Sequence, residues 1–186
     1  PVEAEVTERA RTAIEARLAL ADLQDARDDS ASWSWDASSP FPSVSAFPHG
    51  RIVASTETAF PDRIRAVVRT PGRLAIVHGA TATTIVSGEH LAQIHIGHEP
   101  DGREIRHLEL DREGRELLRS WVATHAGSVA DVVVDGDVLE TVDLGSLGPE
   151  GWIPVHAASG SLDLEGLSLA VLYPLPAKLT EVSFGA

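Results

Sequence analysis

The stretch that most narrows the choice of fold is Val132-Val133-Val134-Asp135-Gly136-Asp137-Val138-Leu139, two apolar, largely β-branched runs joined through Asp-Gly. A two-residue turn that follows the right-handed twist of its strands needs positive φ at both central positions, which Asp and Gly accept at low steric cost. The stretch therefore predicts an antiparallel hairpin, Val132 to Val134 against Val138 to Val142. It lies in a longer run, Val86 to Val142, in which short strands, sharp turns and one helix follow each other closely.

The neighbouring elements are read from period and caps. Val6, Ala10, Ala13, Ile14 and Leu18 recur at helical spacing, which predicts an amphipathic helix from about residue 4 to about residue 24, capped near Thr7. The Ser-, Pro- and Gly-rich stretch up to Gly50 is expected to be mostly loop, with a short strand where Trp33 and Trp35 alternate. Arg51 to Glu57 is expected as a strand. Phe60-Pro61-Asp62 opens a short helix that Pro71-Gly72 ends, and Arg73 to His78 is a further strand. Leu91 to Ile96 and His107 to Leu110 flank a charged turn at Glu99-Pro100-Asp101-Gly102. Asp111 then caps a helix whose buried face is expected to be Leu117, Leu118, Trp121, Val122 and His125, closed by Gly127. Trp152 to His156 is expected as a strand, Leu164 to Tyr173 as a short apolar helix capped by Asp163, and Leu179 to Phe184 as a last strand.

Composition removes several function classes. The net charge of −13 repels phosphates, so nucleic acid is not an expected partner. With no cysteine there is neither a disulfide framework nor a thiolate nucleophile or metal ligand. No apolar run has the length needed to cross a bilayer. The sequence opens on Pro1 without a signal-peptide pattern, which fits either a trimmed cytoplasmic protein or the soluble part of an exported or membrane-attached one.

In their order along the chain, these residues resemble the large first extracytoplasmic domain of the preprotein translocase subunit SecD. Val86-Ser87-Gly88-Glu89-His90-Leu91 resembles that family's apolar-Thr/Ser-Gly-x-x-Leu stretch. Leu108-Glu109-Leu110-Asp111-Arg112-Glu113-Gly114 is similar to its strand, Asp-x-Glu-Gly and helix. The Asp135-Gly136 hairpin is similar to its apolar-Asp-Gly-Lys-Val-Ile signature, with Asp137 where the family has a basic or polar residue. Leu164 to Tyr173 with Leu175-Pro176-Ala177-Lys178-Leu179 resembles its C-terminal helix and Leu-Pro-Ala-Pro-Leu tail. Thr12 to Leu20, Gly50 to Val53 and Pro61 to Arg63 resemble its opening helix, strand and helix. The resemblance implies an α+β fold: a ferredoxin-like split base from residues 1–79 and 159–186, with an inserted α+β head from 80–158. Two chain crossings between base and head make a hinge possible.

It further implies a non-catalytic, extracytoplasmic domain that binds protein or unfolded polypeptide in an export context, membrane-associated only through a segment outside this chain. The family's proton-coupling residues lie in transmembrane helices, so this chain alone is not expected to be a proton-driven motor. No cofactor is expected. The expected polypeptide contacts are Trp33, Trp35, Phe41 and Phe47, aromatics on a Pro- and Ser-rich segment.

The alternative is a small metal- or carboxylate-dependent enzyme that uses His90, His95, His98 and His107, within eighteen residues of one another. A zinc site needs three or four converging ligands, which these spacings do not supply, and solvated edge-strand histidines are the plainer reading. Asp131, Asp135, Asp137, Glu140 and Asp143 invite a calcium reading, but alternation along strands spreads them over two faces; a charged hairpin tip that keeps an edge soluble fits better. Ser87 and Ser120 stand in no nucleophile context, and Gly145-Ser146-Leu147-Gly148 lacks the Lys of a phosphate loop.

Overall fold

The computed structural model describes residues 2–28, 43–47, 51–55, 66–125, 127, 129–147, 151–156 and 164–176. The chain divides into two compact units, one of Pro1–Pro71 with Tyr173–Ala186, the other of Gly72–Leu172. The expected boundaries near 79 and 159 thus shift to 71 and 172. The reason is pairing: the strand at Leu74–His78, expected in the base, bonds to Thr83–Ser87 and Val129–Val134 of the second unit.

The first unit begins with helix α1, Val2–Asp28. The cap expected near Thr7 is not one, because the helix already runs at Val2. Good helix formers and a charge ladder carry it through: Arg11 donates to Glu8 at 2.7 Å and to Glu15 at 2.5 Å, pairs three and four residues apart on one face. Its buried stripe is Ala10, Ala13, Ile14, Arg17 and Leu18. Strands β1 (Ser43–Phe47) and β2 (Arg51–Ser55) form an antiparallel pair, with Val44 opposite Ala54 and Ala46 opposite Ile52, and α1 packs against both. β1 corrects the expectation of loop up to Gly50; serine and flanking prolines hide a five-residue strand that pairs with β2. Residues 66–69 are helical (α2), and Val67 and Val68 are buried.

Among its described residues the second unit contains two antiparallel sheets and two α-helices. The first sheet has the order β4-β3-β7-β8, with β3 Leu74–His78, β4 Thr83–Ser87, β7 Val129–Val134 and β8 Asp137–Asp143. Leu74, Ile76, Val132 and Val134 alternate inward from its two central strands. The second sheet is β5-β6-β9, with β5 Leu91–His98, β6 Glu104–Leu110 and β9 Ile153–Val155. Helix α3 (Arg112–Thr124) packs on β4 and β6, and α4 (Leu164–Leu172) packs on β5. α4 is apolar nearly all round, as a helix with little solvent face must be, and Leu167, Leu169, Ala170 and Val171 are buried.

The predicted turn is present: Asp135 and Gly136 have φ of 54° and 98°, both positive, and β7 pairs β8 around them. Asp111 caps α3 as predicted, accepting from the Gly114 amide at 2.7 Å. Gly127 has the left-handed φ of 73° predicted for it. On α3 the buried positions are Gly114 and Leu118; Leu117 is 42% exposed and His125 is exposed, a correction to the expected face. The expected strand at Trp33–Trp35, the start of the helix at Pro61, the Asp163 cap and the strand Leu179–Phe184 fall outside the described residues. No helix among the described residues is long and apolar enough to cross a membrane.

Candidate functional site

Trp33, Trp35 and Phe41 lie outside the described residues; Phe47 is the last residue of β1, and its side chain is likewise outside them. The histidine region is described. His95 on β5 and His107 on β6 are direct cross-strand partners, so they share one face of the second sheet. Trp152, just before β9, stacks on His95 with ring centroids 4.5 Å apart and 19° between planes, and sits 5.9 Å from the His107 ring. His95 Nε2 lies 2.6 Å from Glu109 Oε2, and Arg115 Nη1 approaches Glu109 Oε1 at 3.7 Å. The face is thus a layer of imidazole and indole edged by one carboxylate, with Pro154 opposite His107. Gly97 permits it: a side chain there would meet His107 Nε2 at 3.1 Å and Ile105 at 3.2 Å.

The four histidines do not gather. His90 sits at the N-terminus of α3, with Nδ1 3.4 Å from Asp111 Oδ2, and His98 is exposed at the far end of β5. Among the described residues no three His, Asp or Glu side chains are placed to hold a metal ion. His156, unremarked in the sequence, has Nδ1 2.9 Å from Glu140 and Nε2 3.4 Å from Glu99, tying β8 to the β5–β6 turn.

The acidic hairpin residues are likewise spent separately. Asp131 accepts from Thr141 Oγ1 at 2.6 Å, Asp143 accepts from the Gly145 amide at 2.9 Å, and Glu140 accepts from the His156 amide at 3.1 Å. Asp135 accepts from the Gly72 and Arg73 amides, both at 2.9 Å. Asp135 is exposed, yet more than a solvated tip charge. It fixes the strand that enters the second unit, and Gly72, with φ of 77°, has no room for a side chain, since a Cβ would lie 2.0 Å from the Ala170 carbonyl oxygen.

Two further clusters escaped the sequence. Trp121 and His125 of α3 stack at 3.9 Å and 5°, and His78 of β3 tilts onto both rings. The i, i+4 spacing of Trp121 and His125 carried that signal. The other is Arg17, wholly buried in the first unit, where its guanidinium donates to the Val67, Thr70, Pro71 and Tyr173 carbonyls at 2.6 to 3.1 Å. Residues 10, 13, 14, 17 and 18 form one helical stripe, so its position on the apolar face was legible even though its partners were not.

The described residues form antiparallel sheets of two, four and three strands with helices packed on them, an α+β fold that solved SecDF structures share. The chain is similar to the crystal structure of SecDF in its super-membrane-facing form, with a TM-score of 0.72 and 15% identity over 94% of this chain and 27% of that one. It is also similar to a structure of SecDF described as a membrane component that enhances protein export, with a TM-score of 0.68 and 16% identity over 97% of this chain and 93% of that one. The chain thus spans about a quarter of the length of the first. The α+β class expected from the sequence is the class observed. No family model matches the sequence, and no curated protein matches it.

Proposed function

We propose that this chain is a non-catalytic protein-interaction domain that serves protein export from outside the cytoplasm, joined to a membrane through a segment beyond this sequence, and that it binds unfolded polypeptide. The observation that carries the reading is the SecDF fold over nearly the whole chain. The chemistry is compatible: among the described residues the histidines and acids lie in separate pairs and caps, not around one centre. The segment bearing Trp33, Trp35, Phe41 and Phe47 is the proposed contact in the first unit, on the strength of its aromatic content.

Photocrosslinking tests the reading. A probe at residue 33 or 35 is expected to capture a permanently unfolded polypeptide and not its folded counterpart, with Trp33→Ala and Trp35→Ala lowering capture. Equal capture of folded and unfolded forms would count against it. The alternative enzyme using His90, His95, His98 and His107 gains no favouring observation, because only His95 and His107 are neighbours.

A further inference from the structure

Among its described residues the second unit has four sheet edges, and three of them are blunted. β9 is three residues long and contains Pro154, which has no N–H to offer. β8 carries Asp137, Glu140 and Asp143, and its pairing with β7 is bulged between Val132 and Val133. β4 is five residues long, is bulged against β3 between Ile76 and Val77, and lies against α3. Short length, charge, proline and bulges are the devices that keep an edge from accepting another strand.

The fourth edge has none of these along most of its length. β5 runs for eight residues, Leu91-Ala92-Gln93-Ile94-His95-Ile96-Gly97-His98, without Lys, Arg, Asp, Glu or Pro. Its ladder to β6 is regular from Gln93 to His98, and among the described residues no strand bonds to its other side. Ile96 is 63% exposed there, an apolar side chain beside a row of backbone donors and acceptors. We infer that β5 is a strand-addition site, where an extended segment of unfolded polypeptide joins the β5-β6-β9 sheet as a fourth strand.

The backbone of such an edge selects an extended chain, because only that conformation offers matching donors and acceptors at the strand repeat. Side chains set the preference. Alternate residues of the incoming strand lie beside Ile94 and Ile96 on one face, favouring apolar residues, and beside Gln93 and His95 on the other. Exposed Glu89 stands before the edge, while Asp101 and Glu99 after it are paired with Arg103, on a chain of net charge −13. The fitting occupant is thus an extended segment that alternates apolar with basic residues.

The inference rests on the polypeptide-binding reading, and residue-resolved amide exchange separates the two. The probe is a synthetic peptide alternating valine and lysine, added to the 186-residue chain, with a valine–glutamate peptide as comparison. The valine–lysine peptide is expected to slow exchange at alternate amides of residues 91–98 and to leave β4 and β8 unchanged. Ile96→Lys, an exposed substitution of the kind that guards natural edges, is expected to weaken binding about tenfold, with unchanged exchange in β6 and β7 showing that the fold is intact. Binding without protection of β5, or equal binding by Ile96→Lys, overturns the strand-addition site and leaves polypeptide binding standing. No binding of either peptide or of a permanently unfolded protein overturns both.

Discussion

Arg17 Nε donates to the Tyr173 carbonyl at 2.8 Å across 156 residues of sequence, so the first helix of the first unit holds the point at which the chain returns to that unit. The same guanidinium takes the carbonyls of Val67, Thr70 and Pro71, which end α2 just before the chain leaves. A cation there also meets the negative end of the helix. Leu175 adds a backbone bond from its amide to the Pro71 carbonyl at 2.8 Å.

Removing this clamp leaves the buried Val67 carbonyl and the part-buried Thr70 and Tyr173 carbonyls without the Arg17 donor, while the Pro71 carbonyl keeps the Leu175 amide. Arg17→Met, similar in length and without charge, is expected to cost about 3 kcal/mol, since the buried Val67 carbonyl and the part-buried Thr70 and Tyr173 carbonyls lose a charged donor. Arg17→Lys is expected to recover only part, because one ammonium cannot fan out to carbonyls on two segments. Urea unfolding of the three proteins checks the order; equal midpoints would contradict it.

Asp135 does the corresponding work in the second unit. Asp135→Ala removes the carboxylate that accepts from the Gly72 and Arg73 amides and puts alanine at a φ of 54°, an expected cost of about 2 to 3 kcal/mol. Asp135→Asn keeps an acceptor oxygen and tolerates the left-handed region, so it is expected to be milder. A denaturation midpoint for Asp135→Asn at or below that of Asp135→Ala would contradict the assignment.

The two clamps show how far the sequence could be read. Local chemistry was legible: the Asp135-Gly136 turn, the Asp111 cap and the left-handed Gly127 each depend on a residue and its immediate neighbours. Long-range partners were not, because nothing near Asp135 in sequence announces the Gly72 and Arg73 amides. For the same reason the strand period of β3 is clear in the sequence but its pairing with β7 is not. Composition hides β1, and Leu117 reads as inward because helical period fixes a stripe only to within a residue or so. In the candidate site, sequence proximity of four histidines gave one adjacent pair, while Trp152, the ring that covers both, stood far away in the chain.

Gly114 reverses an ordinary rule. Glycine to alanine inside a helix is usually stabilising by about 1 kcal/mol, but a Cβ at Gly114 would lie 2.7 Å from the His90 Cβ and 3.3 Å from the Leu110 Cβ. Gly114→Ala is therefore expected to be destabilising by about 1 to 3 kcal/mol through overpacking. A thermal midpoint equal to or above that of the parent would show that the α3 N-terminus yields more than this geometry allows.

Acid is expected to weaken the same corner. The Gly114 amide, and after it the His90 side chain, hold the Asp111 carboxyl below its ordinary range. A carboxylate depressed in the folded state adds stability that is fully present above its unfolded pKa of about 3.9 and is lost as pH falls through the lower folded value. Asp111→Asn keeps a capping oxygen and does not titrate, so the stability gap between parent and variant is expected to close below about pH 4. Stability curves that stay parallel down to acid pH would remove the carboxylate from the account.

The central claim is that the chain receives unfolded polypeptide, and fluorescence anisotropy with a labelled, permanently unfolded protein tests it most directly. The account predicts saturable binding that weakens with added salt, as expected for a host of net charge −13 meeting basic segments, and no binding of the same protein when folded. Indifference to the folding state of the ligand, or no saturable change, would contradict it.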